Sequence, residues 1–218
     1  MRLSISLLII MSLFLGGCQM SDDNQTIDPE KVEAEKLPNV RAFEDEFTRG
    51  FLQSIKETKE GYYPFLSQTS NYEMNFPAGG VIDERGYFQQ NGTEKFSIGH
   101  VSNEFNARIN IKYFGFMKSD SMDSRLQTIK ENSDTPLQFQ QKDLPGRTLQ
   151  KAFYKDDLGY FGYVAMIQNS ENSGAVEIST VSECKENAEN CNQIIEDTKT
   201  TISKWLESIK FRTKTGSE

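Results

Sequence analysis

The sequence predicts an α+β fold: an antiparallel β-sheet of about six strands, flanked by helices on both faces and closed by a C-terminal amphipathic helix. Three observations predict it. Between Tyr72 and Glu183 the apolar residues mostly alternate with polar ones and are punctuated by turn dipeptides, whereas before and after that stretch they recur every three or four residues. In YFGYV and KYFGF, adjacent aromatics must point to opposite faces of a strand, which asks for an apolar cover on each side of the sheet.

The first predicted element is an amphipathic helix from Val40 toward Gly61, in which Val40, Phe43, Phe47, Phe51 and Ile55 share one face and Glu44, Asp45, Glu46 and Lys56 lie between them. YEMNF then alternates Tyr72, Met74 and Phe76 against polar residues and stops at Pro77 and Gly79-Gly80, giving a strand and a turn. Asn91-Gly92 joins GYFQQ to TEKFSIGHV as a hairpin, because that dipeptide tolerates the positive φ angles of a type I′ turn. FNARINIKYFGF follows as a half-buried antiparallel strand with Phe105, Ala107, Ile109, Ile111 and Tyr113 inward.

SDSMDSRLQTIKEN reads as a short helix with Met122, Leu126 and Ile129 inward and a Ser or Asp at its N-cap. RTLQKAFYK, GYFGYVAMIQ and GAVEISTVSE form a three-strand meander through turns at Asp156–Gly159 and Asn169–Gly174. The closing helix runs from about Ala188 to Lys210, with Ile194, Ile195, Thr198, Ile202, Trp205, Leu206 and Ile209 on one face.

Before the globular part, Arg2 and the apolar run Leu3 to Leu15 have the form of a signal peptide, and the run is too short to span a bilayer. Leu15-Gly16-Gly17-Cys18 resembles the bacterial lipobox, and that resemblance implies cleavage before Cys18 and diacylation of its thiol. An ordinary secretory signal cut near Gly17 is the alternative. Two acyl chains hold a protein stably where one gives only marginal binding. The expected organisation is therefore a signal peptide at 1–17, a lipidated Cys with a flexible acidic tether at 18–38, one globular domain at 39–211 and a disordered tail at 212–218. QMSDDNQTIDPEKVEAEKLP has no aromatic residue to repay the entropy of ordering, which makes it a spacer between membrane and domain.

A net charge of −8 with no basic cluster argues against a nucleic-acid partner, and it leaves the lipid to do the anchoring at the extracytoplasmic face of the cell membrane. With Cys18 assigned to lipid, Cys184 and Cys191 remain. An exported chain permits a disulfide between them, worth about 2 to 3 kcal/mol for so short a loop; two free thiols are the alternative. A redox pair would be spaced C-x-x-C, and a metal site would need partner ligands nearby, so neither is expected.

Chemistry is scarce in the sequence. His100 is the one histidine; a triad would have to recruit it, and a hydrogen-bonded or solvent-facing ring is the plainer reading. Asp120 with Asp123, and Asp156 with Asp157, suit helix capping and turn formation better than a metal, lacking the spacing of a calcium loop. There is no nucleotide-binding glycine motif, and no cofactor is expected.

The order of elements, together with MNFPAGG (Met74 to Gly80) and the terminal SIKF (Ser208 to Phe211), resembles the Mog1/PsbP-like superfamily, which includes exported lipoproteins. The resemblance implies an α/β/α sandwich serving as an adaptor, assembly factor or ligand binder, with no shared catalytic residues to carry over. The leading expectation is a non-enzymatic, lipid-anchored domain that binds an envelope protein or a small ligand. The alternative is an envelope hydrolase working through carboxylates or His100.

Overall fold

The computed structural model describes residues 28–212 except 103, 104 and 187. Its strands form two sheets. A three-stranded sheet holds β1 (Tyr62–Leu66), β2 (Tyr72–Pro77) and β11 (Lys210–Phe211), in that order. An eight-stranded antiparallel sheet has the order β3-β5-β6-β10-β9-β8-β7, built from β3 (Gly80–Ile82), β5 (Thr93–Val101), β6 (Phe105–Phe114), β7 (Gln140–Leu144), β8 (Arg147–Lys155), β9 (Phe161–Asn169) and β10 (Ala175–Cys184). Its eighth member, β4 (Phe88–Gln90), shares the β5 edge with β3.

Helices lie on both faces, as expected, but the strands are more numerous than expected. On one face α4 (Cys191–Leu206), the small sheet and two short helices, α1 (Arg41–Glu44) and α2 (Glu46–Arg49), close the main core. Phe96, Ile98, Ile111, Val176 and Ile178 of the large sheet meet Tyr63, Phe65, Tyr72 and Phe76 of the small one, with Trp205 and Leu206 from α4. On the other face α3 (Met122–Glu131) packs Met122 and Leu126 against Met166 and Ala175. Beside α3 that face is polar: Ser97, Asn110 and Ser179 hydrogen-bond across three strands at 2.8 and 3.2 Å.

The predicted hairpin is present, with φ of +50° at Asn91 and +73° at Gly92. A close approach sets a second glycine: a Cβ on Gly162 would overlap the carbonyl oxygen of Thr180 on β10. There the buried Thr180 side chain replaces a backbone partner, its Oγ1 accepting from the Tyr163 N–H at 2.8 Å.

The long N-terminal helix does not form. Asp45 is extended (φ −85°, ψ 117°), and its carboxylate caps the N-terminus of α2 by accepting from the Thr48 N–H at 2.8 Å, so the helical path breaks after one turn. Beyond Gly50 the chain runs along the outer edge of β1, where the Phe51 carbonyl accepts from Leu66 N–H and Gln53 N–H donates to the Pro64 carbonyl. The spacing of the phenylalanines still serves burial: Phe43 and Phe51 are each 1% exposed, and Phe51 stacks on Phe65 with ring centroids 5.5 Å apart. Residues 28–38, the end of the stretch read as a tether, form two 3-10 turns, with Pro29 buried and Leu37 against the core.

A proline inside GYYPFL argues against a strand there, and the register shows why β1 forms all the same. Pro64 lies opposite Asn75, and its carbonyl faces outward to Gln53, so its missing N–H falls on the side away from β2. Asn75 likewise turns its backbone outward, toward α4. Its N–H donates to Ser208 Oγ at 3.2 Å, and its carbonyl accepts from Trp205 Nε1 at 2.7 Å. Replacing Trp205 by Phe keeps the ring but removes that donor, and it should lower unfolding free energy by about 1 to 2 kcal/mol in a urea titration. A cost indistinguishable from zero would show that the bond does not hold α4 on the small sheet.

Candidate functional site

Cys18 lies outside the described residues. The other two cysteines form a disulfide, with Cα atoms 5.9 Å apart, that joins the end of β10 to the first residue of α4. Among the described residues no helix is long and apolar enough to cross a membrane, and no three His, Cys, Asp or Glu side chains converge as metal ligands.

His100 is half-buried, where the sequence pointed to a hydrogen-bonded or solvent-facing ring. It sits on β5 opposite Gly80, and its Nδ1 is buried without a partner. The ring borders a cavity of about 60 Å³ with Tyr62, Phe105, Ile109, Thr201 and Trp205. Burial and, secondarily, the Arg41 charge hold its pKa below the usual histidine value. No carboxylate is among the cavity's lining residues, so nothing there orients the imidazole as a general base. The acidic pairs are equally unpromising. Asp120 and Asp123 are exposed around the start of α3, and Asp156 spends Oδ1 on the N–H groups of Leu158 and Tyr160.

The buried acid is one that the sequence did not single out. Glu94, fully buried on β5, accepts hydrogen bonds from Gln68 N–H (3.1 Å), Thr69 Oγ1 (3.3 Å) and Tyr87 Oη (3.1 Å). Burial raises its pKa while those donors pull it down. It fastens the turn before β2 to the large sheet, and the neighbouring Tyr72 hydroxyl is held protonated chiefly by its own burial. Only its even position in TEKFSIGHV, in line with Phe96 and Ile98, hinted at this.

A cluster of concave features surrounds β11, while a separate open cavity of about 660 Å³ lies between the 133–136 loop and the Asp156 turn. Three adjoining open cavities of about 480, 500 and 570 Å³ flank β11, and Arg212 lines all three. Arg147 and Lys210 border the first, Lys210 and Glu73 the second, and Asn71, Asn172 and Phe116 the third. Arg147 is 7% exposed; it donates from Nη1 to the Pro145 carbonyl and from Nη2 to that of Glu207 at the C-terminus of α4. Among the described residues no carboxylate lies within ion-pair distance of it; Glu207, which Lys142 and Lys151 hold, acts on it only from farther away. Among the described residues Lys210 and Arg212 form no ion pair either. Arg147, on β8, lies about sixty residues before Lys210 and Arg212, and its bond to the Glu207 carbonyl at the end of α4 brings it beside the segment that carries them.

A family model described as "Putative lipoprotein YvcA" matches residues 38–210, the stretch that carries both sheets and α4. The chain belongs to this family. "Putative lipoprotein YvcA" of Bacillus subtilis (strain 168) is 28% identical over 233 aligned positions, covering 93% of this chain and 95% of that protein. Among solved structures, the Saccharomyces cerevisiae Ran-binding protein Mog1p is similar at 10% identity, covering 68% of this chain and 94% of its own with a TM-score of 0.44. Cyanobacterial PsbP (CyanoP) from Synechocystis sp. PCC 6803 is similar at 11% identity, covering 71% and 94% with a TM-score of 0.43. The lipoprotein family and the Mog1/PsbP likeness expected from the Cys18 junction, MNFPAGG and SIKF are the ones found. Both of the latter motifs sit where the small sheet meets the rest: MNFPAGG links β2 to β3, and SIKF holds Ser208 and β11.

Because the folded pKa of His100 is depressed, the folded protein binds fewer protons than the unfolded chain near pH 6, and stability falls as pH drops through the unfolded value of 6.5. Relative to His100→Gln, the native protein should lose stability between about pH 7 and pH 5 in parallel urea titrations; matching pH profiles would refute this. Glu94→Ala strands three donors and should cost about 2 to 4 kcal/mol by the same measurement, whereas a loss under about 1 kcal/mol would mean that the 67–70 turn holds without it.

Proposed function

We propose that the protein is a non-enzymatic, lipid-anchored binding domain at the extracytoplasmic face of the cell membrane, attached through Cys18 and working through the groove around β11. The observation that carries this reading is the groove itself: three adjoining cavities, each with room for several ligand groups, on a member of a lipoprotein family. Its walls are basic and amide-bearing, a lining suited to holding a ligand rather than to proton transfer at neutral pH. The segment between Cys18 and the domain supports the anchor by giving the groove reach from the bilayer. Ligand classes open to such a site are another envelope protein or a smaller ligand.

Cys18→Ala tests the reading. The variant should appear in the culture medium as a folded protein at full abundance, and cells carrying it should behave as cells lacking the gene. Normal cell behaviour with all of the protein released would remove the role of anchoring. Catalysis by the one histidine is tested separately, since His100→Ala should leave that cellular behaviour intact; its loss with the fold preserved would favour a hydrolase.

A further inference from the structure

We infer that the groove around β11 binds a linear polyanion of the envelope, a chain whose repeating unit joins sugar or polyol hydroxyls to a phosphate or carboxylate. This rests on the binding-domain reading and names its ligand class. The protein carries 32 acidic and 24 basic side chains, so any site where cations prevail runs against its composition. Around β11 they do prevail: Arg147, Lys210 and Arg212 face Glu73 and Glu171.

Position strengthens the argument. Arg147 is nine-tenths buried, its Nε has no partner, and its hydrogen bonds go to backbone carbonyls, with the Glu207 charge acting on it only from beyond ion-pair distance. A buried cation without a paired carboxylate in contact is costly, and an anion in the adjoining cavity would supply that contact. Lys210 and Arg212 are exposed and lie on one short segment, so they can meet successive charges of a chain.

The shape selects an extended ligand. Each cavity is open rather than enclosed, and all three meet at Arg212, so a ligand can pass from the Arg147 side to the Phe116 side without leaving the protein. At that far side the wall offers Asn71, Asn172 and Ser173, with Phe116 65% exposed. Amides give paired donors and acceptors for hydroxyls, and a bare aromatic face packs against the C–H surface of a sugar or polyol. An acidic peptide would use the cations but has no need of that wall. Elsewhere the negative protein repels a polyanion, so recognition should be confined to the groove and strongly dependent on salt.

The test uses the full lipidated protein in detergent, titrated by calorimetry with poly(glycerol phosphate), polygalacturonate, neutral dextran and polyglutamate of matched length. Binding of poly(glycerol phosphate), polygalacturonate or both supports the inference and identifies the anion. It should weaken roughly ten- to fortyfold between about 50 and 300 mM salt, as expected when two or three cations release counterions. Lys210→Gln with Arg212→Gln should weaken it at least about tenfold with an unchanged melting temperature. Phe116→Ala should weaken it less, and Lys95→Gln, on another strand, should leave it unchanged. Arg147 is left intact because it holds the end of α4. No binding of either anionic glycan or polyol overturns the inference, as does equal binding of dextran, equal binding of polyglutamate, or insensitivity to the double substitution. None of these failures touches the anchored-domain reading, which stands or falls on Cys18→Ala.

Discussion

The backbone of Asn75 has to find partners outside its own sheet. Antiparallel pairing with β1 turns its N–H and C=O outward, and β11 is too short to reach it, pairing only with Glu73 and Tyr72. A strand edge left bare at the core boundary would carry unpaired polar groups at a cost of about 1 to 3 kcal/mol each. Ser208 and Trp205 meet both, and in doing so they fix where α4 ends and where β11 begins. Much else follows: the indole seats α4 on the core, the turn after it delivers Lys210 and Arg212 to the small sheet, and Arg147 closes on the Glu207 carbonyl. The fold and the groove therefore share one joint.

What the sequence reveals tracks how local each signal is. The Asn91-Gly92 hairpin, the three-strand meander and α4 each depend on residues within a few positions of one another, and all are present. The helix through Phe43, Phe47 and Phe51 fails because periodicity reports which residues are buried and not the backbone that buries them. Asp45 capped a new turn, and the chain beyond it found partners along β1. β7 is polar at nearly every position, and β1 holds a proline whose harmlessness depends on a partner strand not yet known from sequence.

The candidate site was the least readable part. Arg212 lay in a polar segment read as tail, and nothing in RTLQKAFYK marks Arg147 as a neighbour of Lys210. Long-range pairing makes the site, and a single sequence carries no signal for it. Glu94 and His100 show the converse. Each stands in a recognisable strand, yet one is a well-bonded carboxylate and the other an unpartnered imidazole, because burial and neighbours rather than residue type decide their chemistry.

The strap formed by α4 has a kinetic corollary. It is bound covalently at Cys191 and, at its far end, by the hydrogen bonds that Trp205 gives to and Ser208 takes from the Asn75 backbone, and the strand that completes the small sheet follows it. A polypeptide that emerges from a channel N-terminus first cannot close this core until α4 and β11 are through. Phe65, Phe76 and their neighbours stay uncovered until then. Any delivery of the chain N-terminus first thus leaves the core open until α4 and β11 have followed the sheet.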